Sequence, residues 1–414
     1  VPVGELLDVV DRTVRTGSTT DGEGLPARDE IVVAHPLQPF DVRNFTTGAL
    51  IRDRPWSFDA VALEGARALG APRHDPSAFL SGRLPSTGSG IVELDSLVRF
   101  VQHPVRAFLR QRLGITVADY SDDVSDALAV ELDQLEQWGV GDRLLAARLT
   151  GADADACVAA EVARGILPPG ALADSILDRV GPTVEGLVSA AAALEAGAGA
   201  RRSVEVNFEL PDGRLLVGTV PGVTASLSAT VVYSRVGPKH RLAAWARFLA
   251  LTVAHPEADF EAATVGRKRA GARGRSSVTV ARLAAFAGEP AAGQALALHH
   301  LVQLVELYDR GMREPLPLYC SASAAFAAAS AAGKDPEAAA RKAWESAWNY
   351  PREDSDREHV LVLGGILPFA DVLEERPDQD EGGDGWNVDE PTRFGRYAHR
   401  LWDGLLACEE MSEQ

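Results

Sequence analysis

The sequence predicts an α/β fold in which one run of strands interrupts an otherwise helical chain of 414 residues. Two observations predict it. Val204, Val206, Phe208 and Leu210 alternate with Glu205, Asn207 and Glu209, which is the period of a half-buried strand. Before and after this region, apolar residues recur at helical spacing over long stretches.

From the N-terminus, residues 3–14 form a short apolar-periodic helix, and 17–24 have the Gly, Ser, Thr and Asp content of a linker. Residues 31–33 read as a strand. Pro36, Pro39, Pro55 and Pro85 punctuate the stretch after that strand, and 86–90 is a flexible joint. The chain therefore divides into a segment 1–89, a linker that packs on the main domain, and a main domain, 90–414. The opening Val1-Pro2-Val3 suggests a fragment of a longer protein.

Asp95 or Ser96 is placed to cap a helix ending near Gln102, and Pro104 suits the first turn of the next, 104–113. Helices are expected over 125–137, 141–149, 152–164 and 172–200. The strand of 203–210 then turns at Pro211-Asp212-Gly213, a hairpin signal. Residues 215–220 return, and 229–233 make a third strand. A helix over 241–255 buries Leu242, Trp245, Phe248, Leu249 and Val253 on one face. Further helices are read at 292–310, at 321–332, after Asp335-Pro336, where Asp335 caps, and at 393–406. The acidic, Gly-rich stretch 374–390 reads as a solvated loop.

Strand, turn, strand, strand, helix is the order of restriction-endonuclease-like (PD-(D/E)XK-type) nucleases. Such enzymes hold Mg²⁺ with an Asp at one strand end and an acidic-x-Lys triplet on the next, because a hard ion needs oxygen ligands. Here Pro221 stands at the first position and Tyr233-Ser234-Arg235 at the second. Pro221, Tyr233 and Arg235 thus read as vestigial nuclease positions without a metal site or catalytic residues. The chain resembles the C-terminal region of the RecC family, the gamma subunits of exodeoxyribonuclease V. The resemblance rests on the order of several motifs: His35-Pro36-Leu37-Gln38-Pro39-Phe40 with Arg43-Asn44-Phe45, residues 97–100 with 103–113, residues 164–170, residues 314–319, residues 348–356, and the tail 393–397 with Leu401-Trp402. It implies a restriction-endonuclease-like core with large helical additions that has lost catalysis. It also implies a structural and DNA-guiding role beside RecB-type and RecD-type helicase subunits in double-strand break repair. By that resemblance the part present here docks the RecD-type helicase and presents a hairpin near the point of strand separation.

Composition bounds the alternatives. Hydrophobic residues make up 46% and charged residues 24%, an ordinary globular balance. The net charge of −18 argues against indiscriminate coating of DNA, so any DNA contact is local and weak. Three scattered cysteines make neither a disulfide framework nor a four-Cys cluster site, and fit a reducing cytoplasm. No apolar run reaches membrane-spanning length. There is no phosphate-binding G-x-x-x-x-G-K-[ST], no G-x-S-x-G and no zinc-type spacing, so no cofactor is expected.

Arg267, Lys268, Arg269, Arg273 and Arg275 form the densest basic cluster. They lie among glycines between strand-like segments at 260–265 and 277–280, so a basic-tipped hairpin that contacts phosphate is the favoured DNA-binding site. Arg106, Arg110 and Arg112 read as a solvated helix face in preference to a channel wall. His103 reads as a capping or packed residue, and Glu353, Asp354 and Asp356 as solvated loop carboxylates. Trp245, Trp344, Trp348 and Trp402 read as core rather than as base-stacking platforms. Two rival readings stand beside the main one: a protein-interaction module without DNA contact, and an active nuclease using Glu205, Glu209 and Asp212. Against the second, Glu205 and Glu209 alternate with the apolar face and point to solvent.

Overall fold

Contacts divide the chain into two units, Val1–Pro76 and Ser77–Gln414. In this computed structural model the described residues are 2–16, 25–72, 78–86, 88–117, 131–197, 199–268, 278–348 and 350–413. In the first unit a helix, Pro2–Thr13, precedes two short antiparallel strands, β1 (Arg15–Thr16) and β2 (Leu25–Pro26). Residues 28–31 are helical, and 32–33 are outside any regular element, so the expected strand at 31–33 is absent. The Pro-rich motif is a folded turn. Buried Asn44 donates its amide to the Gln38 and Pro39 carbonyls, and the His35 and Trp56 rings meet at 4.3 Å.

The second unit is built on a seven-stranded mixed sheet. Its strands are β3 (Ile91–Glu93), β4 (Arg202–Glu209), β5 (Leu215–Thr224), β6 (Leu227–Val231), β7 (Glu261–Arg267), β8 (Val278–Leu283) and β9 (Glu409–Glu413). The β4–β5 hairpin closes through the expected turn, where Gly213 takes a positive φ of 84° and Asp212 accepts the Arg214 N–H. β3 pairs in parallel with the start of β5, and β6 pairs antiparallel with its end. Both lie on the edge opposite β4. The strands expected at 215–220 and 229–233 are therefore neighbours, with shifted limits.

β5 runs through Pro221, which has no N–H to give, and the β4 register slips opposite it between Arg202 and Val204. β6 starts early, at a tight turn with Ala225 at φ 47°, and ends at Val231. Tyr233-Ser234-Arg235 therefore lies beyond the strand, on the connection to the next helix. That helix, Pro238–Ala254, crosses over to β7, which runs parallel to β6. β8 and β9 complete the sheet in antiparallel fashion.

Two apolar clusters cover the two faces of this sheet, and β7 shows why. Ala262 joins one cluster, while Ala263 and Val265 join the other. The first contains helix 238–254, buried not on one face but nearly all round, since Ala243, Ala246, Ala250 and Leu251 are as enclosed as Trp245 and Phe248. It packs against the helices Leu94–Gln102 and Pro290–Gly311. The second cluster is closed by Gln134–Leu149 and Ala171–Leu194. The first of these is one helix where two were expected, capped by Asp133 and Glu136 in a reciprocal box.

Helix 94–102 begins at Leu94, so neither Asp95 nor Ser96 caps it. The closing helix, Arg393–Cys408, buries Phe394, Tyr397, Leu401, Trp402 and Leu405. The acidic stretch before it is a mostly exposed loop, as expected, but is pinned at one point. Fully buried Glu381 receives hydrogen bonds from Arg393 and Tyr397, which compensate the carboxylate charge that burial would otherwise strand.

Candidate nucleic-acid interface

A groove of about 1030 Å³ opens beside the connection after β6. One wall is helix 94–102 and the helical segment from Pro104 to Arg112. His103 joins the two: its Nδ1 accepts the Arg106 N–H and so caps the second helix. From Phe108 to Arg112 that segment widens into a π turn, with exposed Arg110 inside it. A second wall is the 234–240 connection with Arg267 at the end of β7. The third comprises the start of the helix Cys320–Ala331 and the loop from Tyr350 to His359.

Six cations line the groove, Arg99, Arg106, Arg110, Arg235, Lys239 and Arg267, against two carboxylates, Glu353 and Asp356. Arg106 is committed to Glu358 in a bidentate pair at 2.6 and 3.2 Å. Arg99, Arg110, Arg235 and Lys239 are exposed and have no ion pair among the described residues. In a chain of net charge −18 this is a local reversal of sign.

The groove floor carries no ready chemistry. His103, Asp356 and His359 lie close enough to hold a metal ion together. Most of their polar atoms already have partners. With His103 Nδ1 accepting a backbone N–H, its Nε2–H donates to Asp356 at 3.1 Å. Asp356 also caps the helix Arg357–Leu363 by accepting the Glu358 and His359 N–H groups. His359 Nδ1–H donates to the Glu353 carbonyl at 2.7 Å. Burial first, then the neighbouring His103, hold His359 down to a pKa of about 4, so its ring is neutral. Asp356 is held well below the ordinary carboxylate range: burial raises it, but the His103 hydrogen bond and the positive charge that His359 and His103 carry once protonated outweigh that.

Glu353 accepts the Ser321 and Ala322 N–H groups at the start of helix 320–331. Burial pushes its carboxyl above the usual range despite those bonds. Burial likewise raises the Cys320 thiol, which keeps it protonated and unreactive. Glu353, Asp354 and Asp356 are thus structural groups, not the solvated carboxylates that the sequence suggested: Asp354 is buried and holds Ser346. The other carboxylate trio, Glu314, Asp378 and Glu381, is occupied by the guanidinium groups of Arg83 and Arg393.

The structure gathers some of the expected site residues and separates others. Arg235 and Arg267 line the groove; Pro221 does not, and lies exposed on β5. Tyr233 is buried against helix 134–149, where a Cβ on Gly141 would fall 2.1 Å from its ring, and the Arg267 guanidinium sits 5.0 Å above the same ring. Gly266 allows this approach, since any side chain there would strike the Ser234 carbonyl at 2.6 Å. Lys268 pairs with Glu413 of β9. Arg269, Arg273 and Arg275 lie outside the described residues, between the paired strands β7 and β8. Glu205 and Glu209 are exposed on β4, and Asp212 pairs with Arg214.

Sequence reasoning missed Arg99 and Lys239, and set aside Arg106 and Arg110. Arg99, Arg106 and Arg110 shared one signal, an excess of Arg on short helical segments, and Lys239 had none. Trp348 is also not core but 99% exposed.

Comparison with known proteins agrees in one direction. Residues 90–331 match the family model described as the RecC C-terminal domain. The chain is 38% identical over 409 residues to the RecBCD enzyme subunit RecC of Mycobacterium tuberculosis, covering 99% of this chain and 35% of that protein. The corresponding subunit of Mycolicibacterium smegmatis is 37% identical over 414 residues, again 99% and 35%. That of Escherichia coli K12 is 24% identical over 282 residues, 68% of this chain and 22% of the relative. The chain thus spans about a third of the length of the mycobacterial relatives it matches. With a family model over more than half its length and relatives above 30% identity along nearly all of it, the chain belongs to the RecC family.

Proposed function

We propose that this chain serves as the C-terminal part of a RecC subunit in a RecBCD-type helicase–nuclease, where it guides DNA without cutting it. Its partners are RecB-type and RecD-type subunits and the DNA strand, in the cytoplasm, during double-strand break repair. The main domain, 90–414, is read as a nuclease-like core that has lost its metal chemistry. Two observations support that reading: the β4–β5–β6 run and the crossover helix to parallel β7. The segment 1–89 leads into this domain.

The observation that carries the DNA role is the groove with six cations in a strongly acidic chain. Unpaired guanidinium and ammonium groups in such a setting hold a phosphate backbone, and the sequence carries Arg267, Lys268, Arg269, Arg273 and Arg275 as a basic run from the end of β7. The test replaces Arg110, Arg235 and Lys239 together by Gln and measures binding of a single-stranded oligonucleotide across a salt series. Loss of three phosphate contacts lowers the slope of log affinity against log salt by about 2, at roughly 0.7 per contact on single strands. An unchanged slope and affinity leave the protein-docking module as the better account, which a pull-down with the helicase subunits then examines.

A further inference from the structure

We propose that Trp348 and Tyr350 form a platform at the mouth of the groove on which unpaired bases stack, so that the groove receives a single strand rather than a duplex. The inference rests on the reading of the groove as a nucleic-acid path. It starts from the turn Ala347–Tyr350, whose ends exchange backbone hydrogen bonds of 3.1 and 2.8 Å. Buried Asp354 braces this turn from below by accepting the Ser346 N–H at 2.8 Å, and the Ser346 hydroxyl in turn accepts the Arg352 N–H at 2.8 Å. The turn is therefore tied at its base, yet at its tip Trp348 is 99% exposed and Tyr350 is 64% exposed. The three other tryptophans assigned to the core, Trp245, Trp344 and Trp402, are fully buried, so this one differs in kind.

The position of the turn names the occupant. Tyr350 lines the cationic groove and also an adjoining surface cavity of about 460 Å³, where Arg352 joins it. Ser321, Glu353 and Asp356 line both, so the two spaces are adjacent. A strand whose phosphates lie on Arg110, Arg235 and Lys239 reaches the aromatic turn along one surface. Charge complementarity selects a polyanion, and the aromatic faces select one whose bases are free. Bases within a duplex are stacked on each other and offer no face to a side chain, whereas a single strand does. Stacking is tolerant of sequence because every base has a π face, so no base preference is expected.

The test uses the whole chain and fluorescently labelled oligothymidylate, beside an abasic oligomer of the same length. Trp348→Ala and Tyr350→Ala should each weaken oligothymidylate binding by about 5- to 20-fold, within the range for removal of one base–aromatic stack. The salt slope should stay that of the unaltered chain, and Trp348→Phe should restore most of the affinity. The abasic oligomer should bind the unaltered chain and Trp348→Ala alike. An exposed turn residue contributes little to folding, so thermal unfolding of Trp348→Ala should match the parent. Unchanged oligothymidylate affinity in both alanine variants, or an equal loss on the abasic oligomer, overturns the platform. The Arg110, Arg235 and Lys239 variant separates the two ideas. If it loses affinity and salt slope while Trp348→Ala keeps both, the groove reading stands and the platform falls. If it keeps both while Trp348→Ala loses affinity selectively for bases, the platform stands and the cationic path is wrong.

Discussion

Trp402 and His359 show how single residues are held. Trp402 is fully enclosed, and its indole N–H donates to the Ser323 hydroxyl at 2.9 Å. Trp402→Ala should cost about 3–5 kcal/mol, the range for truncating a buried large aromatic, as read from urea unfolding. Retention of parental stability would place the side chain outside the core. His359 makes stability depend on pH. Its folded pKa of about 4 lies below the ordinary value of 6.5, so the unfolded chain takes up the proton first. The contribution is complete above pH 6.5 and shrinks as pH falls toward 4, by up to about 3 kcal/mol at the bottom of that window. The depressed carboxyl of Asp356 acts in the same direction at still lower pH. His359→Asn keeps an N–H for the Glu353 carbonyl and removes the titration. Its unfolding midpoint should be nearly flat between pH 6.5 and 4 where the parent falls, and a parallel fall in both proteins would assign the acid sensitivity elsewhere.

At the scale of elements, the last strand is fastened to the core by charge. Glu409 opens β9 and pairs with Arg241 of helix 238–254; both side chains are largely buried, and the guanidinium also lies 5.2 Å from the Trp402 ring. Glu409→Ala strands a buried cation and should destabilise the protein by about 3–5 kcal/mol, whereas Glu409→Gln keeps an acceptor and should cost less. Equal effects in equilibrium unfolding would mean that the pair is not desolvated. The strands and the hairpin turn were readable from the sequence because Val204, Val206 and Phe208 alternate and Gly213 fits a positive φ. The limits of β6 were not. They depend on the turn at Ala225 and on pairing with β7, 34 residues away at Leu227↔Glu261, which no local pattern encodes. Helix 238–254 looked one-sided because its alanines are neutral in periodicity, yet close approach of neighbouring helices buries them.

For the whole molecule, the balance of charge is the governing fact. An excess of 18 negative charges repels DNA at long range, so binding through the proposed groove should fall steeply with salt. No cleavage is expected from the protein supplied with Mg²⁺ or Mn²⁺. The carboxylates nearest one another are each committed to a histidine, an arginine or a backbone N–H. Incubation with labelled single-stranded and duplex DNA checks this. Metal-dependent cutting that Glu205→Ala or Glu209→Ala abolishes would restore the nuclease reading.

The sequence by itself determined the class of the fold, the family, the strand–turn–strand core and the closing helix. Each is written in residues close together in the chain, through alternation, helical spacing or an ordered motif. Only the tertiary structure decided where the cationic groove lies. Arg99, Arg110, Arg235, Lys239 and Arg267 span 169 positions, from Arg99 to Arg267, and converge because a crossover helix brings β7 beside β6 and the 103–112 segment against the 353–359 loop. The same packing buried Asp354 and tied Glu353 to backbone N–H groups, both of which composition marked as solvated, and left Trp348 in water, which composition marked as core. A residue type sets what burial would cost, but whether a position is buried depends on which distant segments cover it.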